Sequence, residues 1–329
     1  MLAVTARAHT NIALIKYWGK ADSELMLPAN SSVSMTLDQF YTETTVTFDA
    51  DATADSFVLD GVRQDFLATT KITRFLDIVR ALANTASFAH VESVNHVPTA
   101  AGLASSASAF AALALAASTA AGLNLTQQEL TRLARRGSGS ASRSINGGFV
   151  IWHRGHDDAS SFAEPVQVNP NLNLRMLAVV LDHRQKRVSS RQGMAETVAT
   201  SPYFPAWADA AEAASHAMVR ALTGSDFAEI GAMVERSALM MHATTLAANP
   251  PFTYFQPETL ATLQLVQDMR AKGLPVYATM DAGPNVKVLT TADAVLQVQD
   301  QLAAALNAPI TVCAPGPDAQ IIKEEEVDA

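Results

Sequence analysis

The sequence predicts an α+β fold built from two differently composed halves. Three observations carry that reading. Strands and helices are mixed up to about residue 183, long amphipathic helices dominate after it, and an uncharged run lies in the middle of the first half. The chain has 329 residues, enough for two domains, and the division is expected as 1–183 and 184–329.

Taken in order, residues 3–15 alternate as a strand. The loop Lys16-Tyr17-Trp18-Gly19-Lys20 follows, and both lysines read first as solvated surface charges. A turn at 28–32 leads into a strand at 33–37. Segments 42–48 and 56–59 read as the two strands of a hairpin, with Asp60-Gly61 as a tight turn after them. Apolar residues at Ile72, Phe75, Leu76, Val79 and Leu82 mark a helix over 71–82, and 91–97 is a strand. Between residues 93 and 128 there is no Asp, Glu, Lys or Arg. This run opens on Pro98-Thr99-Ala100-Ala101-Gly102-Leu103-Ala104-Ser105-Ser106-Ala107-Ser108 and continues rich in alanine and leucine.

Three readings compete for that run. Its length allows a membrane-spanning helix, but small residues predominate and no basic cluster flanks it. It also suits a small-residue core helix without a ligand. The third reading is a phosphate site: free N–H groups and the positive end of a helix dipole attract anions, and Ser105, Ser106 and Ser108 add hydroxyls for phosphate or Mg²⁺. No Gly-Lys-Ser/Thr follows the glycine, so it is not a Walker loop.

Further on, Thr126 and Glu129 have capping-box spacing and start a helix. That helix ends in Arg135-Arg136-Gly137-Ser138-Gly139-Ser140-Ala141-Ser142-Arg143, which reads as an anion cradle rather than a linker because strand sequence follows at 148–152. A strand at 174–181 precedes a segment with Arg184, Lys186, Arg187, Ser189, Ser190 and Arg191. Helices are expected over 204–222, 227–241, 257–272 and 292–306, strands over 276–280, 286–289 and 310–312, and a frayed acidic tail over 323–328.

Composition limits the function classes. A net charge of −9 argues against nucleic acid as a main partner, while leaving room for a local basic pocket. The lone Cys313 excludes an intrachain disulfide and fits a reducing compartment, as a buried thiol. Charges at Arg7, Lys16 and Lys20 interrupt the only apolar N-terminal segment, so no signal peptide is expected and a cytoplasmic protein is.

Four loops, in this order, resemble the diphosphomevalonate decarboxylase family of the GHMP kinase superfamily. They are Ile15-Lys16-Tyr17-Trp18-Gly19-Lys20, residues 98–108, Ser138-Gly139-Ser140-Ala141-Ser142-Arg143, and Ser189–Arg191 together with Met280-Asp281-Ala282-Gly283-Pro284-Asn285. The resemblance covers essentially the whole chain. It implies an N-terminal domain like ribosomal protein S5 domain 2 and a ferredoxin-like C-terminal domain. It also implies ATP-dependent decarboxylation of (R)-5-diphosphomevalonate with Mg²⁺, a homodimer, and no nucleic acid or membrane partner.

Carried over by residue, Tyr17, Trp18, Gly19, Lys20, Lys71, Ser138, Gly139, Ser140, Ala141, Ser142, Arg143, Ser190 and Arg191 would hold substrate. Pro98, Ala101, Gly102, Leu103, Ala104, Ser105, Ser106 and Ser108 would hold ATP, with Ser105 or Ser106 at the metal. Asp281 would accept or orient the C3 hydroxyl proton, Arg143 would bind the substrate carboxylate, and Lys186 would neutralise the transferring phosphoryl group, with Ser190 counted beside them as catalytic. The alternatives are a related small-molecule kinase, a phosphomevalonate decarboxylase, and a non-catalytic ATP-binding regulator.

Overall fold

Alternating side chains in the first residues build a strand long enough to cross the whole first sheet. The structure, a computed structural model, describes residues 1–97, 105–182, 184 and 186–327. Its first elements are β1 (Leu2–Ile15), β2 (Lys20–Asp22), β3 (Leu27–Pro28), β4 (Ser32–Asp49), β5 (Ser56–Leu59), β6 (Val62–Arg63), α1 (Phe66–Ala83) and β7 (Phe88–His96). Next come α2 (Ser105–Ala120), α3 (Gln127–Gly137), β8 (Phe149–Trp152), β9 (Ala163–Pro165) and β10 (Leu174–Val179). The chain continues through α4 (Ser190–Thr200), α5 (Phe204–Thr223), α6 (Phe227–Leu246), α7 (Pro257–Ala271), β11 (Val276–Met280), β12 (Val286–Thr291), α8 (Val295–Ala305), β13 (Ile310–Cys313) and β14 (Gln320–Glu326).

The larger sheet has the order β14-β1-β4-β7-β5-β6, and β8 and β9 branch from β4. β4 is 18 residues long, so its first residues pair with β8 and its later ones with β7. Register shifts in β1 between His9 and Asn11 and between Ala13 and Ile15 bend its second half toward the site. On this sheet lies α2, whose alanines 111, 112, 114, 116 and 117 are buried. Small side chains let the helix approach β1 and β4 closely, while Phe110 meets Phe75 of α1 edge-on at 5.6 Å. Within the uncharged run, residues 105–120 form a core helix, and no helix among the described residues is long and apolar enough to cross a membrane.

The second sheet, β11-β12-β10-β13, is antiparallel. Val266 and Met269 of α7 and Val298 and Leu302 of α8 pack against it. A further core spans the two sheets, joining Ile12, Leu14 and Met35 to Met176, Leu289 and the α5–α6 residues Met218, Leu222, Ile230 and Val234. The chain enters the second sheet at β10 and returns to the first with β14.

Two expectations fail here. The segments 42–48 and 56–59 are not a hairpin: β7 pairs with β4 on one side and runs parallel to β5 on the other. The true hairpin is β5–β6, turned by Asp60 and Gly61, both at positive φ. Nor is the acidic tail frayed through 323–326. β14 pairs with β1 from Leu2↔Glu326 to Arg7↔Gln320, and its carboxylates point to water on an edge strand, where charge prevents further pairing. The capping box is present, with the Thr126 hydroxyl accepting from the Glu129 N–H and the Glu129 carboxylate accepting from Thr126. Helix α4 was not expected. Its sequence has no apolar stripe, and Ser189 caps it by accepting from the Gln192 N–H.

Candidate active site

Where the two sheets meet, a cleft of about 1000 Å³ opens between the end of β1, the starts of α2 and α4, the 3-10 turn Gly139–Ser144 and the loop after β11. Of the residues proposed from sequence, Tyr17, Trp18, Lys20, Lys71, Ser105, Ser106, Ser138, Gly139, Ser140, Arg143, Lys186, Ser190, Arg191 and Asp281 all line it. Four do not. Gly19 turns the loop at φ +93°, and a Cβ there would meet the Phe204 ring at 2.6 Å. Ala141 is buried in the first core, and the buried Ser142 hydroxyl donates back to Gly139 O. Ser108 is buried and bonded to Thr42 Oγ1 at 2.8 Å, so its hydroxyl braces α2 against β4 rather than facing a ligand. Pro98, Ala101, Gly102, Leu103 and Ala104 lie outside the described residues.

Asp281 follows β11, and the cleft wall draws it between two ammonium groups. Lys16 Nζ lies 2.7 Å from Oδ1 and Lys287 Nζ lies 3.5 Å from Oδ2. Burial opposes ionisation of this carboxyl, yet the charges of Lys16 and Lys287 outweigh it and hold the carboxyl well below the usual range. Asp281 is therefore an ionised hydrogen-bond acceptor with a weak hold on any proton it receives. Lys16 is almost fully buried, contrary to the solvated lysine expected, and also donates to Ala13 O at 2.8 Å. Its main-chain carbonyl accepts from Asn30 Nδ2 at 2.8 Å.

Behind this pair, His242 of α6 is buried against Phe255, with ring centroids 4.5 Å apart. Neither ring nitrogen has a well-formed hydrogen bond among the described residues, and the Asp281 main chain is a polar neighbour of the ring. Burial, then the Lys16 charge, drive its pKa down to about 3, so the imidazole is neutral.

Arg143 is buried at the opposite wall. Nε donates to Asn11 Oδ1 at 3.3 Å, Nη1 donates to Ser32 Oγ at 2.7 Å, and the guanidinium lies 5.6 Å from the Trp152 ring. Burial lowers its pKa to about 10, which still leaves it charged near neutrality. Beside it the Tyr17 hydroxyl is buried without a hydrogen-bond partner among the described residues, and burial pushes its pKa up, so it is a donor at the cleft wall.

The third group is cationic. Lys20, Lys71 and Arg191 line the cleft, and none makes an ion pair with a carboxylate among the described residues. Burial lowers the affinity of both lysines for protons, and the Arg191 charge lowers it further. Cations gathered without acidic partners among the described residues form a site for a polyanion. Lys186 stands nearer Asp281, donating to Ser190 Oγ and to Ala282 O, each at 2.7 Å.

Mg²⁺ fits this cleft only with phosphate present. Among the described residues no group of three or more His, Cys, Asp or Glu side chains can hold a metal. Ser105 and Ser106 offer exposed hydroxyls, and Ser138 Oγ donates to Ser106 Oγ at 3.3 Å. Hard oxygen donors supplemented by phosphate and water are what Mg²⁺ prefers.

Comparison with known proteins decides the family. Residues 8–163 match the profile of the diphosphomevalonate decarboxylase-like N-terminal domain, and residues 176–325 match that of the mevalonate 5-diphosphate decarboxylase C-terminal domain. The chain belongs to the diphosphomevalonate decarboxylase family. Human diphosphomevalonate decarboxylase is 37% identical over 90% of this chain and 79% of its own. Phosphomevalonate decarboxylase of Haloferax volcanii is 32% identical over 99% of both. The solved mevalonate diphosphate decarboxylase of Staphylococcus aureus superposes with a TM-score of 0.95 at 45% identity, covering 98% of this chain and 99% of that one. The structure described as MDDEF in complex with MVAPP, AMPPCP and magnesium gives a TM-score of 0.93 at 50% identity, with the same coverage. The two-domain GHMP kinase-like architecture expected for the family is the architecture of this chain.

For this family member, sequence reasoning missed Lys16, Lys287, His242, Asn11 and Ser32. A signal existed for the two lysines. Each is a single charge abutting or interrupting an apolar run, at 12–15 and 286–289, where a lysine is buried only when paired. Asn11, Ser32 and His242 carried no such mark.

Proposed function

We propose that this cleft phosphorylates the C3 hydroxyl of (R)-5-diphosphomevalonate with ATP and Mg²⁺. Loss of that phosphate and of CO₂ then gives isopentenyl diphosphate, ADP and inorganic phosphate. One observation carries the reading: Asp281, ionised between Lys16 and Lys287, shares a cleft with Lys20, Lys71 and Arg191, none of which is ion-paired among the described residues. The cations suit the diphosphate. Arg143, held by Asn11 and Ser32, presents the rest of its planar fork to the substrate carboxylate.

The chemistry needs both ends of this arrangement. A tertiary hydroxyl leaves poorly, and the carboxylate has no electron sink until the C3–O bond breaks. Phosphorylation supplies the leaving group. Asp281 orients the hydroxyl by accepting its hydrogen bond, and its weak basicity lets the proton pass to a phosphate oxygen or water as the C3–O–P bond forms and the γ-phosphate bond to ADP breaks. Lys186 lies on the side where the phosphoryl group would transfer, and fixed positive charge stabilises that transfer. Ser105 and Ser106 would hold Mg²⁺, which neutralises phosphate charge when bound. Tyr17 and Trp18 wall the cleft against water.

The Haloferax relative makes the monophosphate the second reading. Three cations exceed what a monophosphate needs, which favours the diphosphate. Incubation with Mg·ATP and each mevalonate phosphate in turn, following CO₂ and inorganic phosphate, tests both. Turnover of the diphosphate to CO₂ and phosphate supports the proposal, and exclusive use of the monophosphate overturns it. ADP formation with neither product would leave a kinase, and no ADP at all a non-catalytic nucleotide binder. We propose further that the chain divides into units 1–183 and 184–329 bridged by β10 and β14, with S5-like and ferredoxin-like folds. Its expected setting is the cytoplasm, as a homodimer, on the strength of the family resemblance and the lone buried Cys313.

A further inference from the structure

We propose that Lys287 is a positioning residue for this reaction: from β12 it fixes the Asp281 carboxylate on the side opposite Lys16. The inference rests on the functional reading above and deepens it. β11 and β12 pair with Thr279 opposite Lys287 and Met280 opposite Val286, so Lys287 sits beside the exit of β11 from which Asp281 projects. Lys287 is 1% exposed and Lys16 also 1%, whereas a quarter of the Asp281 side chain remains accessible at the cleft. Lys287 Nζ reaches Oδ2 at 3.5 Å and the Asn285 carbonyl at 3.4 Å, while Lys16 holds Oδ1 at 2.7 Å. With one cation on each oxygen, the carboxylate cannot swing about its Cβ–Cγ bond without losing a partner. Lys287 is not among the cleft-lining residues, so it acts through Asp281.

The groups facing Asp281 are Lys16 at the end of β1, Lys287 on β12, His242 on α6, Arg143 in the 139–144 turn and Lys186 before α4. His242 is neutral, so four cations surround the carboxylate, and Lys287 is one of the two in contact with it.

The test is a double-mutant cycle on the full chain with Mg·ATP and diphosphomevalonate. Lys287→Met should lower kcat on the order of 10- to 100-fold, as a displaced catalytic group does, with KM within about threefold. The acid limb of its kcat profile should move upward, because Asp281 loses one cation. Lys287→Arg should recover part of the rate. In an Asp281→Asn background the same Lys287→Met change should cost less than about twofold, because its route of action is already cut. Wild-type kcat in Lys287→Met, or an equal loss in both backgrounds, would overturn the proposal. Should Lys287→Met fail to fold, Lys287→Gln replaces it in the same cycle; failure of both would show a role in the fold and overturn the proposal. Wild-type protein that releases no CO₂ from the diphosphate sinks the functional reading and this inference together. An active wild type beside a fully active Lys287→Met sinks only the inference.

Discussion

Replacing His242 by phenylalanine should remove a specific slope from the pH dependence of stability. The imidazole is buried and close to the Lys16 charge, so the fold binds a proton there only near pH 3, whereas the unfolded chain binds one near 6.5. Stability from this site is complete above the unfolded value and is lost as pH falls toward the folded one. Each unit of separation is worth about 1.4 kcal/mol, so by about pH 5 the wild type should have lost roughly 2 kcal/mol through this residue. Phenylalanine cannot titrate. Overpacking against Phe255 and Tyr254 would cost the variant a constant amount that cancels when two pH values are compared. His9, also depressed by burial, is present in both proteins and cancels too. The assay is urea unfolding at several pH values from 7.5 to 5, reading the change in ΔG. A variant that loses as much stability as wild type over that interval would refute the neutral, buried imidazole.

Two further outcomes concern the cleft. Arg143→Lys keeps the charge but cannot bridge Asn11 and Ser32 while presenting a planar fork, so KM for the substrate should rise and kcat fall together; steady-state kinetics identical to wild type would place Arg143 outside the substrate site. Ser106→Ala removes an exposed hydroxyl at the start of α2 and should raise the Mg²⁺ concentration needed for half-maximal rate, whereas Ser108→Ala should weaken the fold without that shift. A magnesium titration paired with thermal melts separates the two.

Much of the architecture was legible because periodicity reports burial. Helices α5 to α7 and strands β10 to β12 follow directly from stripes and apolar runs, and the α3 start follows from two residues in capping-box spacing. What was not legible is long-range. That β7 inserts between β4 and β5 depends on pairing that no local pattern encodes, and a local hairpin seemed the simpler solution. The acidic tail looked frayed because charge predicts solvation of side chains, while strand pairing with β1 involves only the main chain. The same limit governs the site. The Gly- and Ser-rich loops stood out by composition and Asp281 through the family resemblance, but whether a lysine is solvated or buried depends on what the fold brings to it. Lys16 meets Asp281 across 265 positions of sequence. Ser108, one turn from the exposed Ser105, is indistinguishable from it in sequence and faces the core.

The central claim is that the C3 phosphate is an intermediate on the way to the alkene. Rapid-quench analysis of one turnover with γ-labelled ATP tests it most directly, run with diphosphomevalonate and with its analogue fluorinated on the C3 methyl. Fluorine withdraws electrons from C3 and should slow phosphate departure far more than phosphoryl transfer. Label should pass through an organic phosphate to inorganic phosphate with CO₂ release in the natural reaction, and accumulate on the organic phosphate with the fluorinated one. Label appearing in inorganic phosphate at the same rate from both substrates, with no organic phosphate in either, would contradict the account.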